Sequence, residues 1–354
     1  LTLALSSEGV FYCQANTYDS LKRKKHKMDG NEKSVMDIIL TGSVAYDYLM
    51  KFPGYFKDHI LPDRLESISL SFLVESMVLQ RGGIAPNIAY TLALLGIHPR
   101  VMATVGEDFE SYRTWLESKG IDTSLMRVIP GIFTASFFAN TDKSNAQIAS
   151  FYPGAMAYAA QLSFRDIANK PGLVVISPND PGAMNAYVVE CQELGLPYIY
   201  DPSQQLVRLD AAEVCRGIQG ARALFVNEYE FALIQKMAGL CERDILQTCQ
   251  FLVVTRGENG ATIYAEQETC SIPIVPPQQI ADPTGVGDAF RGGFLTGYAH
   301  SFKWETCGQM GALAATYCLE QTGPQGHSYT PAEFVSRFRK NFDDYGQLDQ
   351  LIHN

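Results

Sequence analysis

The chain has 354 residues, 46% of them hydrophobic, and a formal net charge of −10; it holds enough apolar material for a large core and has the wrong sign for a general nucleic-acid surface. No apolar run reaches the roughly 18–20 residues of a membrane-spanning helix, and Leu1 to Leu5 is too short for a secretory core, so a soluble, cytoplasmic protein is expected. The eight cysteines show no C-x-x-C pairing and the six histidines no H-x-x-x-H, which argues against a structural zinc.

Residues 1–35 differ from the rest. They hold six Lys/Arg against four Asp/Glu, carry the run Lys22-Arg23-Lys24-Lys25-His26-Lys27 and show no sustained hydrophobic period, so they read as an extension expected to be disordered. From Met36 onward, short β-rich runs at Asp37–Leu40, Arg100–Val105, Leu173–Ile176, Tyr198–Tyr200, Ala223–Val226 and Phe251–Val254 alternate with helical stretches such as Pro86–Leu95, Asn185–Leu194, Ala211–Ile218 and Glu228–Met237. That alternation predicts βαβ units, hence an α/β fold with a mainly parallel central sheet and helices on both faces. Segments at about 48–80 and 132–152 break the pattern with extended stretches, among them Ser69-Leu70-Ser71-Phe72-Leu73-Val74 and Thr134-Ala135-Ser136-Phe137-Phe138-Ala139.

Polar residues collect where the predicted strands end, at Thr41-Gly42-Ser43, Ser177-Pro178-Asn179-Asp180, Asp201-Pro202-Ser203, Asn227-Glu228 and Thr255-Arg256-Gly257. Open α/β sheets bind ligands there, although helix N-caps account for part of the set. The most informative stretch is Asp282-Pro283-Thr284-Gly285-Val286-Gly287-Asp288-Ala289-Phe290-Arg291-Gly292-Gly293. Backbone N–H groups of Gly285, Val286, Gly287 and Asp288 can converge on an anion at a helix N-terminus, with the Asp288 carboxylate beside it as a proton acceptor. Gly292, Gly293 and Gly297 fall inside that helix, where each costs about 0.8–1 kcal/mol relative to alanine. Close backbone packing against the sheet is the expected compensation. No G-x-x-x-x-G-K-[ST] occurs, and Phe290 stands where G-x-G-x-x-G needs its third glycine, so neither common nucleotide loop is present. The plain alternative is a glycine-rich turn opening a buried helix, with Asp288 only complementing the dipole.

Asp282 to Asp288 resembles the second signature of the PfkB, or ribokinase-like, family of small-molecule kinases, with Pro283 and Val286 as departures. Arg81-Gly82-Gly83-Ile84-Ala85-Pro86-Asn87-Ile88-Ala89 is similar to the first signature. Gly42-Ser43-Val44-Ala45-Tyr46-Asp47, His59-Ile60-Leu61-Pro62-Asp63 and the stretch from Asn145 to Met156 look most like bacterial and archaeal adenosine or nucleoside kinases. The resemblance covers residues 36–354 and implies a ribokinase-like three-layer α/β/α sandwich, in which the segments at 48–80 and 132–152 form a small β-sheet lid that shields ATP from water. It further implies ATP-dependent phosphorylation of a nucleoside 5′-hydroxyl, adenosine foremost, with Mg²⁺ as cofactor and K⁺ as a possible family trait. A sugar kinase acting on ribose or a related furanose is the alternative. The expected partners are the nucleoside and ATP, with neither nucleic acid nor membrane, for a monomer or homodimer.

By the same resemblance, Asp288 is the general base and Gly285, Val286 and Gly287 complete the anion hole. Asn227 and Glu230 match an N-x-x-E motif, Glu230 acting on Mg²⁺ through water. Thr255, Arg256, Gly257 and Gly260 border ATP, Gly323 lies beside adenine, and Asp282 and Thr284 are candidates for a monovalent cation. For the acceptor, Asp47 can accept from two sugar hydroxyls, while Asn87 and the bare backbone at Gly82 and Gly83 can approach the sugar closely. A base slot needs apolar walls; Phe72, Phe137 and Tyr152 are the candidates.

Overall fold

The computed structural model describes residues 36–352 apart from Ile68 and Gln267; the expectation for the basic extension of residues 1–35 lies outside the described residues. In chain order the strands are β1 (Ile38–Thr41), β2 (Ala45–Lys51), β3 (Ser76–Gly82), β4 (Arg100–Met102), β5 (Thr104–Val105), β6 (Arg127–Val128), β7 (Ala135–Thr141), β8 (Gln147–Tyr152), β9 (Leu173–Ile176), β10 (Tyr198–Tyr200), β11 (Ala223–Asn227), β12 (Phe251–Thr255), β13 (Ala261–Ala265) and β14 (Thr269–Ile272). The α-helices are α1 (Ile84–Leu94), α2 (Glu110–Ser118), α3 (Pro181–Leu194), α4 (Ala211–Ile218), α5 (Glu228–Ala238), α6 (Glu242–Leu246), α7 (Val286–Ala299), α8 (Trp304–Leu319) and α9 (Pro331–Phe338).

Eight strands form the central sheet in the order β14-β13-β12-β11-β10-β9-β1-β4. Those from β12 to β4 run parallel, while β13 and β14 close one edge antiparallel. The inner parallel strands read as mainly apolar, buried runs because both of their faces are covered. On one face Ile38, Leu40, Val175, Phe225 and Val253 pack with Ile88, Phe294, Met310 and Leu313 from α1, α7 and α8. On the other, Ile39, Val174, Ile176, Leu224 and Val254 meet Met184, Val214, Phe231 and Ile245 from α3 to α6. The result is the expected three-layer α/β/α sandwich.

A second sheet, β3-β2-β7-β8, stands apart from the first. The chain enters it directly from β1 and returns through α1, so the end of β1 joins both sheets. Ser69–Val74 contributes no strand; pairing begins only at Ser76, opposite Lys51. The run Arg100–Val105 also divides, β4 joining the central sheet and β5 pairing with β6.

The helix glycines correct one expectation. A methyl carbon on Gly292 would come within 2.5 Å of Thr91 Cβ, and one on Gly293 within 2.5 Å of the Met310 carbonyl oxygen. The close approach is therefore to helices α1 and α8, not to the sheet.

Candidate active site

The C-terminal ends of the parallel strands present Thr41, Ser177, Asp201, Asn227 and Thr255 along one edge, and the N-terminus of α7 points toward the same edge. Gly285, the N-cap, has φ 80°, a left-handed conformation in which glycine is unstrained. The amides of Gly287 and Asp288 fall in the first turn, where no helical carbonyl lies ahead of them to accept. Asp288 projects from this turn and receives a hydrogen bond from Asn87 Nδ2 at 2.9 Å. Burial lifts its carboxyl from 3.8 to about 6, although the Arg291 guanidinium and the Asn87 amide favour the charged form.

Asn87 is oriented by residues that sequence reasoning missed. Gln325 Nε2 donates to Asn87 Oδ1 at 3.0 Å, and Gln325 Oε1 accepts from Trp115 Nε1 at 3.0 Å. With its oxygen occupied, the Asn87 amide must turn its N–H toward Asp288. Asn87 and Gln325 are 238 positions apart, so no local sequence signal could have joined them.

Asp47, on β2, lies over Gly82. A methyl carbon on Gly82 would sit 2.5 Å from Asp47 Oδ2, so this glycine makes room for the carboxylate. Tyr112 fixes the same backbone by donating its hydroxyl to the Gly82 carbonyl at 2.9 Å. Gly83 follows with φ 95° and caps α1, which carries Asn87. Burial, and then the nearby charge of Asp282, raise the Asp47 carboxyl to about 6.

Strand register decides the aromatic candidates. Asp47 pairs with Phe137, and Phe137 pairs with Phe151, so these three side chains share one face of the small sheet. Tyr152 pairs with Ser136 and therefore faces the opposite way; Phe151 replaces it as a candidate wall. Phe72 is also displaced. Its ring packs against Phe52 and Phe56, both at 5.0 Å, beyond the end of β2 remote from Asp47.

The ATP candidates Asn227 and Thr255 are paired neighbours at the ends of β11 and β12. Gly257 and Gly260 flank the short turn that follows. Arg256 is already engaged: its guanidinium bonds Thr262 and Tyr264 and faces Glu228. Its donors serve its own hairpin and its charge faces α5. Asn227 and Glu230 form a reciprocal capping box on α5, and Ser203 Oγ donates to Glu230 Oε1 at 3.2 Å. Each Glu230 oxygen thus holds one donor and retains a lone pair, which fits contact with a metal-bound water. Among the described residues no group of three or more His, Cys, Asp or Glu is arranged to hold a metal ion directly. Asp282 clamps two loops, accepting the Thr284 amide at 2.9 Å and the Gly323 amide at 2.9 Å. Burial opposes its ionisation, yet these bonds and the Thr284 side chain hold its carboxyl below the ordinary range. That clamp accounts for Asp282 with or without a bound cation.

Arg291, one turn beyond Asp288 on α7, pairs through Nη2 with Asp201 Oδ1 at 2.6 Å. Asp201 is fully buried at the end of β10 and also accepts from Ser177 Oγ at 3.1 Å.

The pfkB family carbohydrate kinase model matches residues 45–331. A nucleoside kinase of Methanocaldococcus jannaschii is 27% identical over 86% of this chain and 97% of its own length. A cytidine kinase of Thermococcus kodakarensis is 25% identical over 82% of this chain and 98% of its own. Among solved structures, Burkholderia thailandensis nucleoside kinase in complex with inosine is 38% identical, with a TM-score of 0.77, covering 86% of this chain and 98% of that one; the same enzyme is also solved in complex with ADP-inosine.

Proposed function

The chain belongs to the pfkB family of carbohydrate kinases, and on that premise we propose that it transfers the γ-phosphoryl group of ATP to the 5′-hydroxyl of a nucleoside, adenosine giving AMP. The observation that carries this reading is the Asn87–Asp288 hydrogen bond, which joins the two glycine-rich signatures at one carboxylate beside a helix N-terminus. The relatives that bind or are named for nucleosides support the acceptor class.

In this reading Asp47 and Asn87 hold the sugar hydroxyls, while Phe137 and Phe151 offer an apolar wall to the base. The acceptor oxygen forms a bond to the γ-phosphorus as the bond to the β–γ bridging oxygen breaks, its electrons leaving on ADP. The hydroxyl proton passes to Asp288. Amides of Gly285, Val286, Gly287 and Asp288 stabilise the phosphoryl oxygens, whose charge is spread in the transition state. ATP lies along Asn227, Thr255, Gly257 and Gly260, with adenine toward Gly323. Mg²⁺ bound with ATP would neutralise phosphate charge, and Glu230 would hold one of its waters. A monovalent cation near Asp282 and Thr284 belongs to the same proposal, as does closure of the small sheet as a lid.

An ATP-coupled assay with nucleosides and ribose tests the function. Burying a purine gains about 25 cal/mol per Å² removed from water, a gain that ribose cannot make. Adenosine is expected to exceed ribose in kcat/KM by orders of magnitude, and 5′-deoxyadenosine to bind without turnover. Equal efficiency on ribose would favour the sugar-kinase alternative, and no turnover on any acceptor would leave only a binding protein.

A further inference from the structure

Resting on the kinase reading above, we propose that Arg291 is a catalytic residue whose guanidinium contacts the transferring phosphoryl group beside the α7 amides. Long side chains on a helix lean toward its N-terminus, so a residue one turn past Asp288 is aimed back at the first turn. A methyl carbon on Gly287 would come within 2.9 Å of Arg291 Nη1, which places that nitrogen directly against the backbone of the proposed anion hole. Gly287 thus serves a second purpose, admitting the guanidinium.

The hydrogen-bond inventory of Arg291 is incomplete. Of its five N–H donors, Nη2 is paired with Asp201, while Nε is buried without a partner. Its side chain is 12% exposed and that of Asp201 0%. The ion pair holds the fork in place and leaves donors over.

Electrostatics point the same way. Asp201, Glu230 and Asp288 all act on this one guanidinium, and the chain as a whole carries −10. Phosphate adds more negative charge to that edge, and Arg256 is already engaged by Thr262, Tyr264 and Glu228. Arg291, held against the first turn of α7, is a cation placed to offset part of it. A guanidinium also suits the planar, multi-oxygen face of a phosphoryl group in flight better than a point charge does. In that step the γ-phosphorus leaves the bridging oxygen of ADP and bonds the acceptor oxygen, while Arg291 donates hydrogen bonds only and exchanges no proton.

The competing role is a strut, since a buried Arg–Asp pair can be purely structural, and such pairs tolerate replacement of both partners. Four proteins separate the two: wild type, Asp201→Asn, Arg291→Lys, and the neutral pair Arg291→Gln with Asp201→Asn. Wild-type turnover of a nucleoside is the baseline; its absence would refute the kinase reading itself. Given that baseline, the neutral pair is expected to keep nucleoside affinity within threefold, by calorimetry, and to lose about 10²–10³-fold in kcat, the span for one lost oxyanion donor. Asp201→Asn, which keeps the guanidinium, is expected to lose less than about tenfold. A neutral pair with kcat within threefold of wild type, or Asp201→Asn alone as slow as the pair, would overturn the proposal. Should the pair not fold, Arg291→Lys decides, because it keeps a charge for Asp201. A loss above about tenfold with unchanged nucleoside affinity supports the contact; wild-type kcat contradicts it.

Discussion

Asp47 and Asp288 share an unusual environment for carboxyls expected to be ionised during turnover. Burial raises both to about 6, from the ordinary 3.8. The sign of the consequence is fixed: an elevated value means the protonated, inactive form persists to higher pH. Above about 6 both are ionised; below it Asp288 no longer accepts a proton and Asp47 no longer accepts from two hydroxyls. The acid limb of kcat/KM is therefore expected to bend near pH 6 with a log–log slope approaching about two, and Asp47→Asn is expected to reduce that slope to about one. A wild-type limb that stays flat down to about pH 4.5 would show that neither carboxylate limits catalysis. At this scale the sequence was most legible where chemistry is local. Asp288 stands beside its glycines in the chain, whereas Gln325, which aligns Asn87, reaches it only through tertiary folding.

Helix α7 owes its position to residues that are poor helix formers. A methyl carbon on Gly293 would lie 2.5 Å from the Met310 carbonyl oxygen and 2.8 Å from Ala314 Cβ, so α7 and α8 approach as closely as backbones allow. Gly293→Ala is expected to destabilise the fold by about 1–3 kcal/mol, the usual cost of overpacking, against an intrinsic helix gain of about 0.8–1 kcal/mol. Urea denaturation reads the balance, and a higher midpoint than wild type would mean the helices can separate freely. The sequence revealed that these glycines needed an explanation without revealing which surface they met. It also marked the starts of α4 and α5, because capping is a local code: Asp210 with Glu213 and Asn227 with Glu230 form boxes there. For α3 the expected start, Asn185, falls four residues late; Asp180 is the cap and Pro181 opens the helix. The register of β8 had no such code. Every residue from Gln147 to Tyr152 is exposed, so no buried alternation distinguishes Phe151 from Tyr152. The pairing is set instead by the turn, where Asp142 Oδ1 accepts the amides of Ser144 and Ala146.

At the scale of the molecule, two sheets meet around one strand. β1 ends at Thr41, β2 begins at Ala45, and Ser43 between them donates its amide to Pro178 at the end of β9. The central sheet thereby brings Asp288, Asp201 and Asn227 to one edge, and the small sheet carries Asp47, Phe137 and Phe151. The division was legible because strands buried on both faces are mainly apolar runs, while the second sheet interrupts the βαβ alternation. The kinase reading depends on a single carboxylate where these parts converge. Its most direct test is the kcat of Asp288→Asn with a saturating nucleoside and ATP. The variant keeps the side-chain shape and is expected to lose about 10²–10⁴ in kcat, with nucleoside affinity unchanged within a few-fold. A folded Asp288→Asn protein that turns over at the wild-type rate would contradict it.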